Sequence, residues 1–295
     1  MISQLNSEFN FQSQTTRYSS QNAYWLAKVA KLVYTKVAED NPAPDRDKIW
    51  QQLQSWSDRF QDIAVFNNKS TQSFVAQHED FIIAAFRGTD QLQDWLDNLN
   101  LPVVPTLMGG AHRGFLMALA DVWPDMLNAI QSFQVKRINI REGFNSVSKY
   151  KTLWITGHSL GGALATLAAA DLIDKDQPFS SVYTFGQPRC VNRQMARNMN
   201  IEAKNRIFRF QNNNDIVTRI PQRVMGYSHV GTFLYIDVHK KLHTDIHWWN
   251  QFLDRTEGLL EALPKPGIDK IQDHDMDDYI QGVHNNININ PLNPN

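Results

Sequence analysis

The pentapeptide Gly157-His158-Ser159-Leu160-Gly161 carries the most specific chemistry in this chain. A serine on a sharp turn between a strand and a helix needs small residues two positions to either side, because a larger side chain would strike the neighbouring backbone. Gly162 widens that clearance. Such a turn lifts the hydroxyl above the strand ends, and the helix that follows aims its first N–H groups and its partial positive charge at any oxyanion formed there. The plainer reading is a packing turn with an incidental serine, but the flanking strand-like and helix-like runs favour a nucleophile. Serine is too weakly acidic to attack unaided at neutral pH, so it needs a base, itself oriented by an acid. Asp215, in NNNDIVTRIP after the strand-like RIFRFQN, is a candidate acid, although a turn-capping role suits its chemistry equally well. Several of the nine histidines compete for the base. His158 packs beside the serine, His229 precedes a strand in GYSHVGTFLYI, and His274 lies in the polar IQDHDMDDYI, from which a loop can return to the elbow. His239, His243 and His247 have the spacing of one helix face, yet no acidic partner motif joins them, so a solvated face is expected there and no metal.

Positioning these groups requires a sheet. Short apolar runs at 63–66, 74–76, 81–86, 153–156, 182–185, 207–210 and 233–238 predict strands. Helical periods are expected over 22–38, 49–60, 113–130, 160–173 and 191–199, and an amphipathic helix over 245–263. Strands alternating with helices imply right-handed crossovers and an α/β architecture, a central mostly parallel sheet with helices on both faces. Thr152 to Ala170 lacks Asp, Glu, Lys and Arg and approaches a membrane-spanning length, but its order is β-branched run, three glycines, then an Ala/Leu run. That order predicts strand, turn and buried helix.

Bulk properties narrow the function classes. The chain has 295 residues, 42% apolar and 20% charged, enough for a sizeable core and too ordinary for wholesale disorder. Twenty-nine basic against thirty acidic residues supply no footprint for a phosphate backbone, which removes nucleic acid as a leading partner. One cysteine, Cys190, allows neither an internal disulfide nor a zinc–thiolate site. The first residues are polar, without a basic start or an apolar core, so a cytoplasmic location is the default expectation; a signal-independent export route stays open. Oligomeric state is not written in the sequence.

The order of motifs resembles the class 3 lipase family of α/β-hydrolases over roughly 74–279. FRGTD at 86–90 looks like the family's oxyanion segment, DWLDNL at 94–99 like its lid helix, AHRGF at 111–115 like its VHxGF segment, and TGHSLGGALATLAA like its elbow. NDIVTRIP is similar to the segment carrying the triad aspartate, GYSHVG to one with a structural histidine, and DHDMDDY to the final segment with the catalytic histidine. The resemblance implies Ser159 as nucleophile, His274 as general base and then acid, Asp215 as the orienting carboxylate, and the N–H groups of Thr89 and Leu160 as an oxyanion hole, with Gly157 and Gly161 shaping the elbow. It implies an α/β-hydrolase fold in one domain: a helical segment over 1–60, a catalytic core over 61–283 with a lid near 91–110, and a flexible tail over 284–295. The expected reaction is hydrolysis of a lipid ester through an acyl-enzyme, with no metal or organic cofactor and with transient contact to a lipid interface. The long 240–273 stretch between the last strand and His274 has no assigned role.

Two rivals remain at this point: a small-ester carboxylesterase or other acyl hydrolase on the same fold, and a silent lipase-like interaction protein. The lid separates the first. Leu92, Trp95, Leu96 and Leu99 share an apolar side opposite Asp94, Asp97 and Asn98, as a short helix would that hides its apolar face in water and turns it toward lipid.

Overall fold

The computed structural model describes residues 8–89, 102–134, 150–244 and 273–292. The lid positions Leu92, Trp95, Leu96 and Leu99, the 245–263 helix and His247 therefore lie outside the described residues.

After α1 (Ser20–Leu32) come a small hairpin of β1 (Lys36–Ala38) and β2 (Asn41–Pro44) and then α2 (Arg46–Trp56). An antiparallel meander of β3 (Phe60–Asn68), β4 (Thr71–His78) and β5 (Phe81–Phe86) follows. A second hairpin, β6 (Val103–Thr106) with β7 (Gly109–His112), leads to α3 (Arg113–Ala120) and α4 (Trp123–Gln134). Next in order are β8 (Thr152–His158), α5 (Leu160–Asp174), β9 (Ser181–Phe185), β10 (Val191–Asn192), α6 (Arg193–Ala203) and β11 (Ile207–Asn212). The described chain closes with β12 (Tyr227–Ser228), β13 (Thr232–Ile236), β14 (Leu242–His243) and α7 (Met276–Asn285).

Among the described residues the main sheet runs β14-β13-β11-β9-β8-β5-β4-β3. Its centre is parallel, from β5 through β8, β9 and β11 to β13, and its two edges are antiparallel. The expected mostly parallel sheet with helices on both faces is what forms. Strand alternation sorts the side chains between two cores. Ile82, Ala84, Leu153, Ile155 and Val182 pack with α3, α4, α5 and α6, while Ile83, Trp154, Tyr183, Phe208 and Phe210 pack with α1, α2 and α7. Helix α5 is apolar on nearly every side and buries 11 of its 15 residues, as a helix enclosed between a sheet and other helices must. Its alanines keep that enclosure tight. No helix among the described residues is long and apolar enough to cross a membrane.

Two helices differ from the periods expected. The 22–38 period ends at Leu32, where Tyr34 and Thr35 close i−3 turns and the chain enters β1. The 113–130 period breaks at Asp121–Val122 because Pro124 has no N–H for the Ala120 carbonyl and would collide with it; a new helix starts at Trp123 instead. In the expected tail, residues up to 292 are described, and several of them are bonded to the sheet edge. Asn286 is buried and holds the Leu242 N–H and the Lys240 and Gly282 carbonyls, and Thr244 donates to the Pro291 carbonyl at 2.8 Å. These bonds fasten the end of α7 to β14 and the sheet edge.

Candidate active site

The elbow is built as its glycines predict. Ser159 sits between β8 and α5 at φ 56°, ψ −129°, a conformation L-residues rarely adopt. Its N–H bonds the Phe185 carbonyl at 2.9 Å, and its own carbonyl accepts the Gly162 and Ala163 N–H groups. A Cβ at Gly157 would strike the Gly161 backbone, and one at Gly161 would strike the Phe86 carbonyl. Strand β5, strand β8 and the first turn of α5 therefore meet at backbone distance, which only glycine permits. The Leu160 N–H opens the helix, ahead of any intrahelical acceptor, as an oxyanion donor should. From the other side, Gly88 comes so close that a Cβ there would lie 3.1 Å from Ser159 Cβ. Thr89, the next residue, is half-buried.

Asp215 and His274 come from separate connections, one directly after β11 and the other directly before α7. Asp215 stands in the turn after β11, where its Oδ1 accepts the Val217 N–H at 2.9 Å and its carbonyl accepts the Thr218 hydroxyl. The capping role that residue chemistry allowed is real, and one carboxylate oxygen performs it. The other oxygen, Oδ2, accepts His274 Nδ1–H at 2.8 Å. A second donor reaches Oδ2: the Tyr279 hydroxyl, at 2.5 Å, which itself accepts the Asn212 N–H at 3.0 Å. Burial, and then the adjoining carboxylate, push the Tyr279 pKa well above that of a free phenol, so it stays a donor. His274 precedes α7, whose N-cap Asp275 accepts the Asp277 N–H at 2.7 Å. Below the imidazole, Gly186 at φ +59° leaves room that a Cβ would fill, 2.8 Å from His274 Cε1 and 2.9 Å from Asp215 Oδ2.

With its Nδ1 proton committed to Asp215, His274 keeps a lone pair on Nε2. That nitrogen and Ser159 Oγ are both buried and both lack a hydrogen-bond partner. The expected Ser159 to His274 hydrogen bond is therefore not formed in this state, a looseness common before substrate arrives. Exposure of 1% at Ser159, 0% at Asp215 and 5% at His274 puts the whole set under cover.

The other histidines fall elsewhere. His229, expected as a structural histidine, is half-buried and pairs its Nε2 with the Thr218 carbonyl at 2.7 Å, bracing the turn that holds Asp215. Burial first, then Arg209 and Arg189, hold its pKa well below that of a free imidazole. His239 and His243 lie on a turn and a short strand, not a helix, and His243 Nε2 meets Asp237 at 2.8 Å. His158 does more than the expected packing: its Nδ1 meets the Tyr34 hydroxyl at 2.9 Å and its Nε2 meets the His274 carbonyl at 2.8 Å.

Sequence reasoning missed Tyr279, Tyr34 and Gly186 as parts of this site. Tyr279 closed the DHDMDDY segment, and its place in the first turn after His274 was the available signal. Tyr279→Phe is expected to lower kcat about tenfold and stability by about 1–3 kcal/mol, because Asp215 loses a donor and the buried Asn212 N–H loses its acceptor. Initial rates and urea unfolding check both numbers, and unchanged kcat would deny the hydroxyl a part in the reaction.

Residues 83–225 match the model of the Lipase (class 3) family. Over those residues the chain resembles the class 3 lipase family. The chain is 29% identical over 217 residues to Phospholipase A1-II 1 of Oryza sativa subsp. indica, covering 68% of this chain and 49% of the relative. It is 32% identical over 158 residues to Secreted mono- and diacylglycerol lipase A of Penicillium cyclopium, covering 52% and 48%. The chain thus spans about half the length of these curated relatives. Among solved structures it resembles a triacylglycerol lipase whose catalytic centre is described as a serine protease triad, with a TM-score of 0.55 at 24% identity over 72% of this chain and 78% of that one. A lipase of Rhizopus microsporus var. chinensis gives a TM-score of 0.57 at 21% identity over 79% and 80%. These likenesses establish the α/β-hydrolase fold.

Proposed function

We propose that the chain hydrolyses carboxylic esters of lipids through an acyl-enzyme. The observation that carries this reading is one bonded sequence: Tyr279 to Asp215 to His274, ending at an open, buried Nε2, with an unpaired serine hydroxyl on a strained elbow. In the reaction, His274 Nε2 takes the Ser159 proton as Oγ attacks the ester carbonyl. Asp215 holds the imidazole in the tautomer that can accept, and steadies the imidazolium that results. The tetrahedral oxyanion rests against the Leu160 and Thr89 N–H groups. His274 then protonates the departing alcohol, and water repeats the sequence to release the acid. No step calls for a metal or organic cofactor.

A lipid substrate is favoured by the burial of Ser159. Something must move before an ester reaches a hydroxyl that is 1% exposed, and a cover released by a lipid surface meets that need. One related chain is named a phospholipase and another a mono- and diacylglycerol lipase. The sequence expectation of a lid at Leu92, Trp95, Leu96 and Leu99 supplies a candidate for that cover. The test compares wild type with Trp95→Ser on emulsified long-chain esters and on a soluble p-nitrophenyl ester. Hydrolysis of the emulsion is expected to fall about tenfold or more while the soluble ester loses under about threefold, since a buried aromatic at an interface contributes a few kcal/mol. Equal losses, or a rate that ignores the substrate's solubility limit, would favour a plain carboxylesterase.

A further inference from the structure

Two imidazoles, His158 and His274, lie against each other at the elbow, and only one can serve as the base for Ser159. His158 is the serine's neighbour in sequence, its ring centroid lies 4.5 Å from that of His274, and both its nitrogens are engaged. The His274 carbonyl is an acceptor, so His158 Nε2 must carry the proton. Neutral His158 then has a lone pair on Nδ1, into which the Tyr34 hydroxyl donates. Tyr34 comes from the turn after α1 and packs against the oxyanion loop, where a Cβ on Gly88 would run into its hydroxyl. One short run of contacts therefore connects the N-terminal helix, the oxyanion loop, the nucleophile's neighbour and the backbone of the base.

We propose that Tyr34 and His158 form a positioning pair for His274: His158 fixes the carbonyl and the ring plane of the base, and Tyr34 fixes the one tautomer of His158 that can do so. The proposal rests on the serine-hydrolase reading above. If the His158 proton moved to Nδ1, a lone pair would face the His274 carbonyl, and the support would become a repulsion. Both nitrogens being occupied also removes His158 from competition for the Ser159 proton, so that the proton goes to the imidazole braced by Asp215. Burial, and then His274 itself, hold the His158 pKa well below that of a free imidazole, so no second positive charge forms beside the imidazolium of the base. Gly186 closes one approach to the His274 ring, and His158 lies against that ring as well. Swivelling of the base away from the serine is what these contacts oppose, and a displacement near 1 Å can cost on the order of 100-fold in rate.

The test measures kcat and KM on a soluble p-nitrophenyl ester, with kcat expressed per serine titrated by a fluorophosphonate, for Tyr34→Phe, His158→Phe and His158→Gln. Tyr34→Phe should lower kcat about tenfold with KM within about twofold, since the base is misaligned while the ester site is untouched. His158→Phe keeps a ring but loses both hydrogen bonds, and should lose about 100-fold in kcat. Glutamine returns an N–H toward the His274 carbonyl and should recover part of that loss. A purely structural pair would lower the melting temperature and the titratable fraction while leaving kcat per titrated serine unchanged, and that result for Tyr34→Phe overturns the proposal even if the His158 variants do not fold. Equal kcat for the Gln and Phe variants overturns it too. Wild-type protein that fails to label would overturn the serine-hydrolase reading instead, so the two failures are distinguishable.

Discussion

Ser159→Ala is expected to end fluorophosphonate labelling and to lower kcat on any ester by on the order of 10⁴- to 10⁶-fold, leaving only what binding and the oxyanion donors supply. The hydroxyl has no hydrogen-bond partner to lose, so the fold should be unaffected by its removal. Ser159→Gly removes the same nucleophile and tests the elbow's strain as well. At φ 56°, ψ −129° an L-residue is held at a cost of about 1–3 kcal/mol, which glycine escapes. Against this stands the greater chain entropy glycine loses on folding, about 0.5–1 kcal/mol. The glycine variant should thus be more stable than the alanine variant, by about 1 kcal/mol in urea unfolding. An active alanine variant would refute the nucleophile, whereas a glycine variant less stable than the alanine one would refute the strain.

The second large effect is expected at Asp215. Its two oxygens accept three donors: the Val217 N–H on Oδ1, and His274 Nδ1–H with the Tyr279 hydroxyl on Oδ2. In Asp215→Asn a single carbonyl oxygen must serve both sides. If that oxygen stays with Val217, the amide NH₂ points at His274 Nδ1 and favours the opposite tautomer, with the proton on Nε2. Such an imidazole cannot take the serine proton, and kcat should fall roughly 10⁴-fold while the geometry stays in place. Steady-state rates, together with the ring-nitrogen signals of His274 in an NMR spectrum, would show the tautomer and the loss together. A loss under about tenfold would mean that Asp215 is only a turn-capping residue.

The relation between sequence and site differs residue by residue. Ser159 was legible because its requirements are local: glycines two positions away, a strand before and a helix after, all within one turn of backbone. Strand limits at 81–86 came out as expected because a run buried on both faces has no polar interruption. The helix limits at Leu32 and at Asp121–Val122 did not, since a continuing apolar period hides a stop imposed by turn bonds or by Pro124.

By itself, the sequence determined the α/β class and the elbow, because steric clearance at a turn and side-chain periodicity act over a few residues, while the order serine, aspartate, histidine was only what the family resemblance implied. Tertiary structure decided which histidine meets Asp215. Asp215 and His274 meet across 59 residues, and Tyr34 meets His158 across 124, separations over which no local pattern constrains contact. What joins them is the parallel order of β8, β9 and β11, which brings the strand ends side by side, and the return of α7 over that edge, which delivers His274 and Tyr279 together. The sequence left Asp215 divided between capping a turn and orienting a base; the folded turn gives it both, one on each oxygen.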